Sequence, residues 1–120
     1  MTDREERMTE RQTLSKLLNE DLDNLKQAGQ DEAEAERQYR KHKAMMSFSP
    51  DMPEGLSWQK QNWIDGQCAD LRFVRDHANN LKGYYKEAVQ SRRQQISILQ
   101  TEMNRQRDEM GSYQARQIGE

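Results

Sequence analysis

Cysteine, glycine, histidine, proline and long apolar runs are all scarce in these 120 residues. The single cysteine, Cys68, leaves no intrachain disulfide to form and suits a reducing, cytoplasmic setting. The glycines are scattered from Gly29 to Gly119 and never cluster, so no glycine-rich phosphate cradle can be built. His42 and His77 lie far apart, and neither has a Glu three residues before it. The Glu-x-x-His pattern of carboxylate di-metal bundles is therefore absent, as is any zinc-ligand spacing. The longest strictly apolar run, Ala44-Met45-Met46, is far too short for a membrane span or a signal-peptide core. No catalytic set, metal site or cofactor site can be assembled, and the expectation is a non-enzymatic protein with no membrane partner.

What is present is helical material. Leu, Ile, Val and Phe supply only 17 residues, whereas charged residues make up 33 % and the net charge is only −2. Strong helix formers with so few large apolar side chains favour long, thin helices over a thick core. The class expected is all-α.

Residues 1–12 are charged in both signs and nearly free of apolar side chains, and are expected to fray. Thr9-Glu10-Arg11-Gln12 matches a capping box, in which the hydroxyl and the carboxamide satisfy two orphan amides. Leu14, Leu18, Leu25, Ala28, Ala35, Tyr39 and Met46 then recur at spacings of three, four and seven, predicting an amphipathic helix over 13–46. Both prolines, Pro50 and Pro53, fall in 47–56, which must be the turn. A second pattern, from Ile64, Cys68, Leu71 and Val74 through Leu81 and Tyr85 to Met110, predicts a helix over 57–110, continuous or broken near Asn79–Gly83. Residues 111–120 carry no pattern and are expected to be a tail.

Two long amphipathic helices with a short connection make an antiparallel hairpin. With the turn centred near residue 51, Lys82 and Lys86 would lie near Glu20, Asp21 and Asp23, and the first helix would run out opposite residue 92. Ile96, Leu99, Met103 and Met110 would then be an apolar stripe without a partner in their own chain. Either a second copy covers it, which is the preferred expectation, or the chain folds back at Gly83 into three helices. Arg92, inside this stripe, needs an interhelical or intersubunit carboxylate.

Charge is unevenly placed. Residues 1–36 hold 11 acids against 5 bases, whereas 37–48 hold Arg37, Arg40, Lys41 and Lys43 with no acid. A second basic stretch contains Lys82, Lys86 and Arg93. The acidic half of the protein could neutralise that second stretch. The first, at the hairpin tip beside Tyr39, Phe48, Trp58 and Trp63, has no obvious counter-charge across the turn. Cations next to aromatic rings are what single-stranded nucleic acid needs: phosphates pair with the former and bases stack on the latter. The competing reading of the tip is a solvated helix end favoured by the helix dipole.

The stretch Ala88-Val89-Gln90-Ser91-Arg92, followed by Ile96 and Leu99-Gln100, resembles the C-terminal helix motif of the small phage recombination mediators of the UvsY type. The layout is similar too, with an acidic first helix ending in a basic run, a short break and a long second helical region. Trp63-Ile64-Asp65, Ala69-Asp70-Leu71-Arg72 and Arg75-Asp76 also resemble segments of small helical phage proteins. The resemblance implies a non-enzymatic mediator that binds single-stranded DNA and helps load a RecA-like recombinase onto strands coated by single-strand binding protein. It also implies a homo-oligomeric ring. The family's DNA-contacting basic run would fall on Arg40, Lys41 and Lys43, and its assembly helix on Ala88, Val89, Arg92, Ile96 and Leu99, which Met103 would extend. The sequence departs from the family after residue 103, which leaves the ring size open. The competing expectation is a coiled-coil structural or scaffolding protein of a phage, or an inhibitor that binds a host protein.

Overall fold

A computed structural model describes residues 2–119, with side chains described up to residue 112. The protein is all-α: three helices, α1 (Asp3–Ser47), α2 (Ser57–Gln67) and α3 (Ala69–Gly119), form a long helical hairpin with no strand among the described residues.

The boundaries differ from the sequence expectation in four places, each with a local cause. Helix α1 starts at Asp3 rather than at residue 13, because the capping box that operates is Thr2-Asp3-Arg4-Glu5. The Thr2 hydroxyl accepts from the Glu5 amide at 3.2 Å, and the Glu5 carboxylate accepts from the Thr2 amide at 3.4 Å. Thr9 lies inside the helix and donates back to the Glu5 carbonyl at 3.0 Å. Asn79, Asn80 and Gly83 do not break α3; all three are solvent-exposed, so water serves their polar groups without interrupting the ladder. The interruption comes at Cys68, whose backbone (φ −98°, ψ 2°) separates α2 from α3 while its amide still bonds to the Ile64 carbonyl at 3.0 Å. Helix α3 continues through 111–119, where a tail was expected; residue 120 lies outside the described residues.

The turn itself is where the prolines placed it. The Gln59 side chain reaches back to accept from the Leu56 amide at 2.9 Å, fixing the start of α2. Gly55 passes beneath that carboxamide with φ +157°, and a Cβ there would collide with it.

The chain divides into two compact units, Asn24–Lys86 and Met1–Asp23 with Glu87–Glu120. In the first, the core is Tyr39, Ile64 and Cys68, with Met46, Met52, Trp63 and Leu71 packed against it. Ala35 and Ala28 are buried about one and three turns before Tyr39, small side chains that allow a neighbouring helix to approach closely. Its cross-helix contacts pair His42 with Gln67, Glu36 with Arg75 and Glu32 with Lys82, an antiparallel register. In the second unit Asp21 meets Arg92 and Arg7 meets Glu102, again antiparallel.

This register corrects the expected one. Lys82 reaches Glu32 rather than the Glu20–Asp23 group, and Asp21 instead holds Arg92. The second helical region is interrupted at Cys68, so α3 does not continue α2 as one straight helix, and its pairings with α1 are displaced from those of a straight helix. Helix α1 therefore does not run out opposite residue 92. Val89 is only 4 % exposed, and Ala88, Arg92, Ile96, Leu99 and Met103 are half-buried within the second unit. Met103 lines a groove together with Met8, Arg11, Ser15 and Asn19 of α1. Within the stripe expected to need a second copy, Ile96, Leu99 and Met103 are half-buried in their own chain. Met110 alone remains well exposed.

Candidate nucleic-acid interface

The basic run at the end of α1 is less free than its sequence suggested. Arg37 grips Glu34 through two nitrogens at 2.9 and 3.0 Å, and Arg40 reaches Glu36 at 2.7 Å. Both partners sit three or four residues upstream, on the adjoining turn of the same helix. Glu34 also accepts from Gln38 at 2.9 Å. The Arg37 fork, aided by Gln38, pulls the Glu34 carboxyl down to about 2. Glu36 is shared, because Arg75 of α3 lies 3.6 Å from its other oxygen.

Tyr39 is the centre of this region but is not available for stacking a base. It is 8 % exposed, and the Arg75 guanidinium covers its ring at 4.3 Å while the Lys43 ammonium sits 5.8 Å from the centroid. Arg75 thus touches Tyr39, Glu36 and Asp76, and it is a structural residue that the sequence reading overlooked. Its spacing from Leu71, Ala78 and Lys82 marked it as facing α1. His42 donates from Nε2 to the Gln67 carbonyl at 3.2 Å, closing the acceptor that the α2–α3 interruption leaves without a helical partner.

Lys41, Lys43, Lys86 and Arg93 have no carboxylate within ion-pair distance among the described residues; Arg37, Arg40 and Lys82 do. Of the four aromatic side chains expected at the tip, Trp63 packs against the core beside Tyr39. Phe48 is 89 % exposed and Trp58 is 61 % exposed, and they flank the two ends of the 48–56 turn. Met45 and Leu56 are exposed with them. No protein-family model, curated protein or solved structure matches the chain. What the tip can do therefore has to be argued from its own chemistry: two accessible aromatic rings and two unneutralised lysines on one end of the first unit.

The cysteine contributes no chemistry there. Cys68 is fully buried, and that burial pushes its thiol pKa up, so the thiolate is disfavoured. Among the described residues no cluster of three or more metal-ligating side chains occurs, and no helix is long and apolar enough to cross a membrane.

The depressed carboxylates make a pH prediction. Glu34 is held low by Arg37 and Gln38, and Glu102 by Arg105 and then Arg7. A carboxyl whose pKa is lowered by folding adds stability above its ordinary value of 4.5 and loses it as pH falls through the folded value. Helicity at 222 nm is expected to fall between pH 4.5 and about 2. Glu34→Gln should flatten the upper part of that acid limb and leave the neutral-pH spectrum unchanged; an identical limb in the variant contradicts the assignment.

Proposed function

We propose that this protein is a non-enzymatic helical adaptor whose hairpin tip engages single-stranded DNA, as in a phage recombination mediator that helps load a RecA-like recombinase onto strands coated by single-strand binding protein. The observation that carries this reading is the pair of exposed rings, Phe48 and Trp58, at the turn that follows the basic end of α1, where Lys41 and Lys43 have no carboxylate partner among the described residues. A solvent-facing turn has no packing reason to expose two large aromatics, and each could stack a base for about 1–3 kcal/mol. The lysines would supply phosphate contacts whose strength falls with salt. Arg37 and Arg40 belong to the helix's own charge balance and are secondary in this proposal. The former assembly stripe, Ala88, Val89, Arg92, Ile96, Leu99 and Met103, plays no part in it.

The test is fluorescence anisotropy with a labelled single strand of about 30 nucleotides, long enough for more than one typical site. Phe48→Ala/Trp58→Ala is expected to weaken binding at least tenfold at every salt concentration. Lys41→Ala should weaken it and reduce the log–log salt slope by about 1. Absence of binding at low salt by the folded wild type contradicts the proposal.

A further inference from the structure

The second unit is held together unevenly along its length. At its inner end Val89 is buried and Asp21 holds Arg92 at 3.3 Å. Farther out on α1, Leu18, Leu17 and Leu14 are half-buried. From Asp3 to Thr13 the helix carries one apolar side chain, Met8, and that one is 47 % exposed. No residue of this stretch is buried, and Arg7 alone is half-buried. Apolar burial, which supplies most of the stability of helices packed on one another, therefore stops at Leu14.

What crosses to α3 from residues 2–13 is one ion pair. Arg7 Nη1 stands 3.1 Å from Glu102 Oε1, and no other ion pair or side-chain hydrogen bond joins this stretch to α3 among the described residues. The grip is weak on both sides. Arg105, on the same helix as Glu102, already holds that oxygen at 2.6 Å, and Arg7 Nη1 is buried without an aligned hydrogen bond. On α3, Gln100 Oε1 is likewise buried without a partner, an unmade bond that water would satisfy if the helices parted. Beyond the ion pair the helices do not close on one another. A cavity of about 450 Å³ lies between Thr2, Asp3 and Arg4 on one side and Met103, Gln106 and Met110 on the other. We infer that residues 2–13 of α1 form a strap, latched by Arg7 and Glu102, that swings off α3 while α1 from Leu14 onward stays packed. Opening wets the orphaned atoms of Arg7 and Gln100 and uncovers Met103, which the closed strap leaves half-buried. Local opening of this kind belongs to helix ends with few buried apolar contacts. Glu102 is its control point, because removing or screening that charge shifts the strap toward the open state. This inference does not rest on DNA binding by the tip.

Hydrogen exchange and peroxide oxidation of the full chain, both read by mass spectrometry on its peptides, test the strap without nucleic acid. The first amides of α1 lack helical acceptors, so the amides of 7–12 are the ones to compare. They are expected to exchange at least about a hundredfold faster than those of 17–23. Glu102→Gln should speed both the exchange of 7–12 and the oxidation of the Met103 sulfur by about threefold, the effect of losing one partly exposed ion pair. Residues 17–23 and the already exposed Met45 should keep their wild-type rates. Arg7→Gln should match Glu102→Gln, and the double variant should go no further than either alone. Exchange of 7–12 as slow as that of 17–23 overturns the proposal, as do wild-type rates at 7–12 and Met103 in Glu102→Gln. Equal acceleration of 17–23 in that variant also overturns it, because the second unit would then open as a whole.

Discussion

Tyr39→Ala is expected to lower the unfolding free energy by about 3–4 kcal/mol, a large share of the stability of a small domain. Tyr39 is the largest member of the buried set it forms with Ile64 and Cys68. Truncation removes the ring from that core and opens a cavity that Met46, Met52, Trp63 and Leu71 can only partly fill. It also removes the surface on which Arg75 lies, 4.3 Å from the centroid, and leaves that guanidinium with Glu36 and Asp76 alone. Urea titration followed at 222 nm measures the effect. Phe48→Ala, at a ring that is 89 % exposed, is the matched control and should shift stability by no more than about 0.5 kcal/mol. Equal effects at the two positions would contradict the division between a structural ring and an accessible one, and with it the assignment of the tip.

The second large effect is expected at Val89→Asp. Val89 is 4 % exposed within the second unit, and the half-buried Arg92 one turn on is already held by Asp21 at 3.3 Å. A carboxylate placed there loses its water, with only the exposed Lys86 and Arg93 as neighbouring cations, and should cost about 3 kcal/mol. Ile98→Asp, on the exposed side of the same helix, should cost under about 0.5 kcal/mol. The readout has a second dimension. Because α1 covers Val89, the loss should be the same at low and high protein concentration. A loss that appears only as a weakened oligomer would mean that another copy covers the stripe.

The class of fold was legible because it depends on coarse signals that tertiary context rarely overrides. Apolar spacings of three and four along both halves, together with both prolines confined to one short segment, already specify two helices and a turn. Tyr39, Ile64 and Cys68 stood at stripe positions and are in the core. Finer features depended on competition between near-equal local choices. Thr2–Glu5 and Thr9–Gln12 both fit a capping box, and the first was preferred because charged, exposed residues with good helix propensity extend α1 at little cost. Asn79, Asn80 and Gly83 looked like breakers, yet an exposed helix tolerates them, whereas the interruption falls at the buried Cys68, two residues after Gly66.

The candidate site was legible in composition but not in availability. The basic block from Arg37 to Lys43 is there, but the acids that neutralise its arginines, Glu34 and Glu36, lie just upstream, where a count by segment does not see them. Phe48 and Trp58 were correctly expected at the tip, and Tyr39 and Trp63 belong to the core instead. The register went wrong through one assumption, that the second helix runs straight from the turn; Tyr39 still meets Ile64 of α2, but beyond the interruption at Cys68 the pairings of α3 with α1 are displaced. That displacement made a stripe half-buried in its own chain look unpartnered.

Completion of the hairpin within a single chain decides which surfaces are free to act, and it is tested most directly by the urea midpoint of the wild type at two protein concentrations a hundredfold apart. Helices that cover one another in the same chain give the same midpoint at both. A midpoint that rises with concentration, corresponding to about 2.7 kcal/mol of added stability across that range, would mean that a second copy completes the fold. The surface left open by Ala88 to Met103 would then be an assembly interface, contrary to the account given for α1 and α3.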